Sequence, residues 1–182
     1  MPTDSHPTRQ VLLDAGLALA DDHALSTLSI DVIVAEAHVA KGTFYVHFRD
    51  RAAYLVALHH RFHDDLAEGI RAAASGLAAG GPRLQASTIA YLDGCLRARG
   101  VKAMLLESRG EPAIAAAVTA SNDRFAHGAE PDFKALGARH PTDAARLYVA
   151  MVAEVALLEL PKGRRRPTLR AALWDLAGIT PG

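Results

Sequence analysis

The chain has almost no cysteine: Cys95 stands alone among 182 residues. An intramolecular disulfide is therefore excluded, and a reducing, cytoplasmic setting is the expectation. Aromatic residues are scarce as well, at 5% against 50% hydrophobic. The core of such a chain must be aliphatic and alanine-rich, which suits helix better than sheet. Strand-like alternation of apolar and polar residues is missing throughout. No apolar run approaches the roughly 20 residues that would span a membrane. The longest, Leu147–Leu160, is interrupted by Glu154 and Glu159. Met1–Arg9 is polar with two prolines, unlike a secretory signal, and Met1–Pro7 reads as a disordered arm. Internal repeats are absent too. What remains is an all-α chain, long enough for a sizeable core.

An excess of positive charge is also lacking, since the formal net charge is zero. By itself this does not advertise a nucleic-acid binder. Residues 1–71 hold six Lys/Arg against ten Asp/Glu, and residues 72–182 fourteen against ten. Exposed charges, however, act over only about 10 Å at moderate salt. Within Val39–Arg51, Lys41, Arg49 and Arg51 face a single Asp50. The local charge of this stretch therefore suits DNA.

That stretch lies inside Ser29–Arg51, SIDVIVAEAHVAKGTFYVHFRDR, the most informative part of the chain. Ser29 can cap a short helix whose Ile30, Ile33 and Val34 face one core. Lys41 to Phe48 gives a second short helix with Phe44 and Phe48 four apart on its inner face. Its other face carries Lys41, Thr43, Tyr45 and His47, donors able to reach phosphates and base edges. Two short helices at a sharp angle form the helix-turn-helix that enters the DNA major groove.

Ala37–His38–Val39–Ala40–Lys41–Gly42–Thr43–Phe44–Tyr45–Val46–His47–Phe48 resembles the signature of the TetR family of transcriptional regulators. Arg9, Leu12, Leu13, Ala15 and Leu19 are similar to that family's first helix, and Asp50–Arg51 to the opening of its fourth. The resemblance covers about the first third of the chain. It implies that Ser29, Lys41, Tyr45, His47 and Arg51 grip phosphates. It implies as well that Gly42 lets the backbone approach and that Thr43 meets a base edge or a thymine methyl. Arg9, at the start of the first helix, is either a further phosphate contact or a solvated surface residue. The sequence departs from the pattern at His38, where glycine is usual in a turn that takes positive φ. It departs again at Ala40, where serine or threonine usually caps the recognition helix.

The rest of the chain divides at its breakers. Thr8 caps a first helix over Arg9–Asp22, and Asp50 a long fourth helix over Arg51–Arg71. Ala72–Gly81 reads as a linker. Further helices are expected over Pro82–Ala98, Val101–Arg109, Pro112–His127, Asp143–Leu160 and Pro167–Ala177, about nine in all. Gly128–Pro131 is expected to end the seventh, with Asp132–Arg139 adding a turn or two. The domains are 1–49, a helix-turn-helix DNA-binding domain, and 50–182, a helical ligand-binding and dimerisation domain. Residues 50–71 connect them.

The eighth helix is apolar nearly all round, so one side needs a partner beyond its own domain. The ninth offers a second apolar face. A symmetric pair would bury Leu147, Val155, Leu158, Leu169, Leu173 and Trp174, and the family resemblance implies the same interface. A monomer with the eighth helix as its central core remains the alternative. By resemblance the second domain holds a small molecule; Tyr91, Cys95, Met104, Phe125, Tyr148 and Met151 are candidate lining, core packing being the other reading of each.

Other chemistry is weak. His59 and His63 stand one turn apart but lack further ligands, so they read as structural histidines at the edge of an apolar face. Glu107–Ser108–Arg109 and Glu111 have no accompanying nucleophile motif and read as helix-end charges. Arg164–Arg165–Arg166 reads as a solvated loop run. The expectation is a cytoplasmic, non-enzymatic regulator without cofactor, metal or membrane. Its partners would be a palindromic DNA operator, a second copy of itself and an unidentified small effector. A second reading keeps the fold and the dimer but reads DNA weakly.

Overall fold

The structure, a computed structural model, describes residues 7–20, 23, 26–107 and 110–179. Nine α-helices and no strand occur among these residues. They are α1 (Pro7–Leu19), α2 (Ile30–Glu36), α3 (Lys41–His47), α4 (Arg51–Ala74), α5 (Gly81–Arg97), α6 (Arg99–Glu107), α7 (Pro112–Ala135), α8 (Pro141–Glu159) and α9 (Pro167–Ala177). The all-helical expectation is met. Most helix ends fall within two or three residues of their sequence-predicted positions. Residues 1–6, Asp22 (the expected end of the first helix) and the Ser108–Arg109 pair lie outside the described residues.

Two compact units divide the chain: Met1–Phe62 with Gly100–Val118, and His63–Arg99 with Thr119–Gly182. The boundaries therefore fall inside α4, between Phe62 and His63, at the start of α6, between Arg99 and Gly100, and inside α7, between Val118 and Thr119.

In the first unit, α1 packs on α2 and α3. α1 begins at Pro7, a first-turn position where the missing proline N–H costs nothing, so Thr8 lies within the helix and does not cap it. The core is Leu12, Leu13, Ile33, Phe44, Leu55 and Leu58 around Tyr54, all essentially fully buried. Tyr54 donates its hydroxyl to the Leu12 carbonyl at 2.8 Å. That bond passes over Gly16, where any Cβ would collide with the Tyr54 hydroxyl. Burial pushes the Tyr54 phenol pKa far above its usual range, so it stays a neutral donor.

In the second unit, α8 packs against α5 and α9. α7 contradicts the expected break: it runs unbroken for 24 residues with Pro131 inside it. A proline there removes one ladder bond and costs about 3 kcal/mol. Tertiary partners of the two residues that follow offset that cost. Asp132 accepts the Gly80 N–H at 2.8 Å and Arg83 Nε at 2.7 Å. Phe133 is buried edge-on against Tyr148, with ring centroids 5.4 Å apart.

α9 is held by a buried charge cluster. Arg170 reaches both Glu159 oxygens, at 2.8 and 2.7 Å, and Asp93 at 2.9 Å. The Arg166 amide donates to Glu159 at 2.8 Å, and Arg165 binds both Asp93 oxygens. The basic loop expected to be merely solvated is thus tied down.

Candidate functional site

The candidate reading head is built on α2, a turn and α3. Ser29 caps α2 as expected, its Oγ accepting the Val32 N–H at 3.3 Å. The turn then passes through His38 at φ 52°, the only described non-glycine residue with positive φ. A histidine is strained in that region, where glycine is not. Ala40 occupies the N-cap of α3 and supplies no side-chain bond to it. Both departures from the family pattern therefore carry their expected physical cost.

Behind α3, Phe44 and Phe48 pack with Tyr54, all three centroid separations lying between 5.1 and 5.4 Å. Asp50 caps α4 through the Ala53 N–H at 2.8 Å. That bond, with the Arg49 ion pair, holds the Asp50 carboxyl below its usual range.

The outward side of α3 is open. Lys41 and Gly42 are exposed, and a Cβ built on Gly42 would meet nothing within 4 Å. Thr43 and His47 are half-buried. Tyr45 is 51% exposed, its ring edge resting on Phe44. Val46, 78% exposed, was missed in reading the sequence. Its position two residues from each inward phenylalanine was the signal, since that spacing puts it on the opposite side of the helix.

Ser29, Lys41 and Arg51 border one open cleft of about 580 Å³, together with Leu28, Asp31 and Glu107. Lys41 Nζ pairs with Asp31 at 2.7 Å, and that bond and charge raise the lysine pKa. Arg51 Nε donates to the Leu28 carbonyl at 2.9 Å, which fixes its guanidinium at the cleft. Arg9 lies apart from the cleft lining, its guanidinium 5.1 Å from the centre of the Phe48 ring. It acts there at least as a cation on an aromatic face.

The second unit encloses a cavity of about 560 Å³. Of the six expected lining residues, Tyr91, Phe125 and Tyr148 border it. Cys95, Met104 and Met151 do not. Cys95 is fully buried in α5, Met104 is core of the first unit on α6, and Met151 is half-buried on α8. An apolar side chain at helical spacing carries no mark to separate core from cavity wall. The polar wall was missed: Arg83 and Asp132 are 49 residues apart and meet only in the fold.

The candidate dimer residues separate in the same way. Val155, Leu173 and Trp174 are buried within their own unit. Leu147, at 68%, and Leu158 are exposed, as is Leu176, and Leu169 is half-buried. His59 and His63 are both buried, deeper than the edge position expected. Among the described residues no three His, Cys, Asp or Glu side chains group as metal ligands, and no helix is long and apolar enough to cross a membrane.

Residues 12–58 match the family described as bacterial regulatory proteins, tetR family. No curated protein gives a significant sequence match. Among solved structures, a Rhodococcus sp. regulator assigned to the TetR family is 17% identical with a TM-score of 0.80, over 95% of this chain and 98% of that one. The multidrug binding protein EbrR, complexed with imidazole, is 20% identical with a TM-score of 0.72, over 98% of each chain. Salmonella enterica GusR is 22% identical with a TM-score of 0.71, over 98% of this chain and 99% of that one. Likenesses at these identities establish the fold, and they do so along nearly the whole chain. The match to the tetR-family model is thus confined to the helix-turn-helix of the first unit, while the remainder of the chain shares the all-helical fold of these solved structures.

Proposed function

We propose that the protein is a sequence-specific repressor that binds a palindromic operator as a homodimer and is released by a small apolar or amphipathic ligand. The observation that carries this reading is the outward side of α3. There Lys41, Gly42, Thr43 and Tyr45 meet solvent while Phe44 and Phe48 anchor the helix from behind. Residues 1–49 act as the reading head. Ser29, Lys41, Tyr45, His47 and Arg51 bind phosphates, which sets register, and Thr43 reads a base edge. Val46, apolar and open, suits a thymine methyl. Two heads meet successive major grooves about one helical turn apart.

Residues 50–182 hold the effector and pair the subunits. The cavity of about 560 Å³ is of a size that takes a small molecule. The exposed Leu147, Leu158 and Leu176 offer apolar surface for a second copy. Release requires that the ligand bind the DNA-incompetent state more tightly than the competent one. The work is done in the cytoplasm, where the DNA is.

Binding to the DNA upstream of the protein's own gene, titrated against salt, tests this reading. A steep fall of affinity with salt is expected. Tyr45→Ala should weaken binding to all sequences alike, whereas Thr43→Ala should change preference at one base position. Intact binding after both changes would remove α3 from the recognition role. The Lys41–Asp31 pair favours a second reading, a dimer that reads DNA weakly, because a carboxylate already occupies the lysine. Absence of binding at low salt would support it.

A further inference from the structure

We propose that the cavity of the second unit selects an amphipathic acid: a planar apolar body bearing one anionic group, which Arg71 receives. The inference rests on the ligand-release reading above and names the chemical class that the site takes.

The cavity wall carries three arginines, Arg71, Arg83 and Arg124, against two carboxylates, Asp64 and Asp132. Both carboxylates are already matched. Asp132 is almost fully buried, and its Oδ1 accepts Arg83 Nε at 2.7 Å and the Gly80 N–H at 2.8 Å. Asp64 pairs with Arg124 Nη1 at 2.8 Å. A cationic ligand would have to displace an arginine from one of them. Arg71, in the last turn of α4, has no ion-pair partner among the described residues. The wall therefore presents one unmatched positive charge, and an anion completes it.

The Thr88–Tyr148 hydroxyl pair of the cavity offers an anion no donor. Thr88 Oγ1 lies 2.8 Å from the Leu84 carbonyl and 2.8 Å from the Tyr148 hydroxyl. Thr88 has a single hydroxyl proton. Both bonds form together only if that proton goes to Leu84 and Tyr148 donates to Thr88. Tyr148 then has lone pairs but no proton to offer a ligand. A carboxylate set against it would meet oxygen with oxygen. The anion is directed to Arg71, and the neutral body to the rings and aliphatic groups. Tyr91 and Phe125, edge to face at 5.6 Å, with Leu84, Val149 and Val152, make that part of the wall.

The test compares three probes with one body and different heads: 4-phenylbutyrate, 4-phenylbutylamine and 4-phenylbutanol. Each is titrated calorimetrically into the full-length protein. The acid is expected to bind about tenfold tighter than the alcohol, the amine weakest, as one charge-assisted bond implies. Arg71→Gln, on an exposed side chain, should abolish the advantage of the acid and leave the alcohol unchanged. Arg71→Lys should restore most of it. An amine that binds as well as the acid, an acid insensitive to Arg71→Gln, or three probes that do not bind would each overturn the proposal. Operator release is measured separately. Arg71-dependent acid binding without release would uphold the site and defeat the release reading, while amine-selective release would do the reverse.

Discussion

Each unit contains a carboxylate–cation cluster, and the two are opposites. In the first unit Lys41 and Asp31 pair at 2.7 Å with side chains 53% and 71% exposed. In the second, Glu159 is wholly buried, and Arg170, Asp93 and the Arg166 amide close around it. The first pair is bathed in water and screened by salt, so breaking it costs little and a phosphate can replace the carboxylate. The second has no solvent to fall back on, so loss of one partner strands the other. Identical chemistry therefore serves exchange at one place and fixation at the other, and burial alone decides which.

The largest expected effect is on the fixed cluster. Arg170→Ala should destabilise the protein by about 3 kcal/mol or more, because Glu159 is left buried and charged. Denaturant unfolding measures this, and a change under 1 kcal/mol would show that the cluster is dispensable.

Acid probes the same cluster. Burial pushes the Glu159 carboxyl up, but the Arg170 and Arg166 hydrogen bonds and the Arg170 charge outweigh it and hold the group below its usual range. A depressed carboxylate contributes stability that is complete above the unfolded value of about 4.3 and is lost as pH falls through the lower folded value. The loss below about pH 4.3 should therefore be shallower in Glu159→Gln than in the unmodified chain. Equal acid slopes would assign the acid response to other groups.

At the exchangeable pair the effects move from stability to DNA. Lys41→Gln should leave the melting temperature unchanged yet lower operator affinity and reduce the salt slope by about one. Asp31→Asn frees the lysine and should tighten binding severalfold. If Asp31→Asn weakened binding, the aspartate would be a partner of the interface and not a competitor for it.

The smallest effects lie in the turn. Ala40→Ser should gain about 1 kcal/mol by supplying the missing cap, and His38→Gly a similar amount at most by relieving the left-handed backbone. Thermal unfolding resolves both.

The parts of this molecule legible in its sequence are those fixed by near neighbours. The ends of α3, the inward pair Phe44 and Phe48, the caps at Ser29 and Asp50 and the positive φ at His38 all depend on residues within about one turn. Partners far along the chain left no such trace. α7 continues through Pro131 because Gly80 and Arg83, about fifty residues earlier, hold Asp132. Arg170 finds Asp93 from 77 residues away. The all-round apolar pattern of α8 could not say that Val155 turns inward while Leu147 meets water. Nor could composition separate Tyr148, on the cavity wall, from Met151, off it.

Position 16 has a practical consequence for anyone who engineers this protein. Replacing a mid-helix glycine by alanine is a standard stabilising change. On α1 it would drive a methyl group into the Tyr54 hydroxyl and push that ring against Phe44 and Phe48. A well-meant repair on α1 would disturb the aromatic seat behind α3, the helix proposed to read DNA.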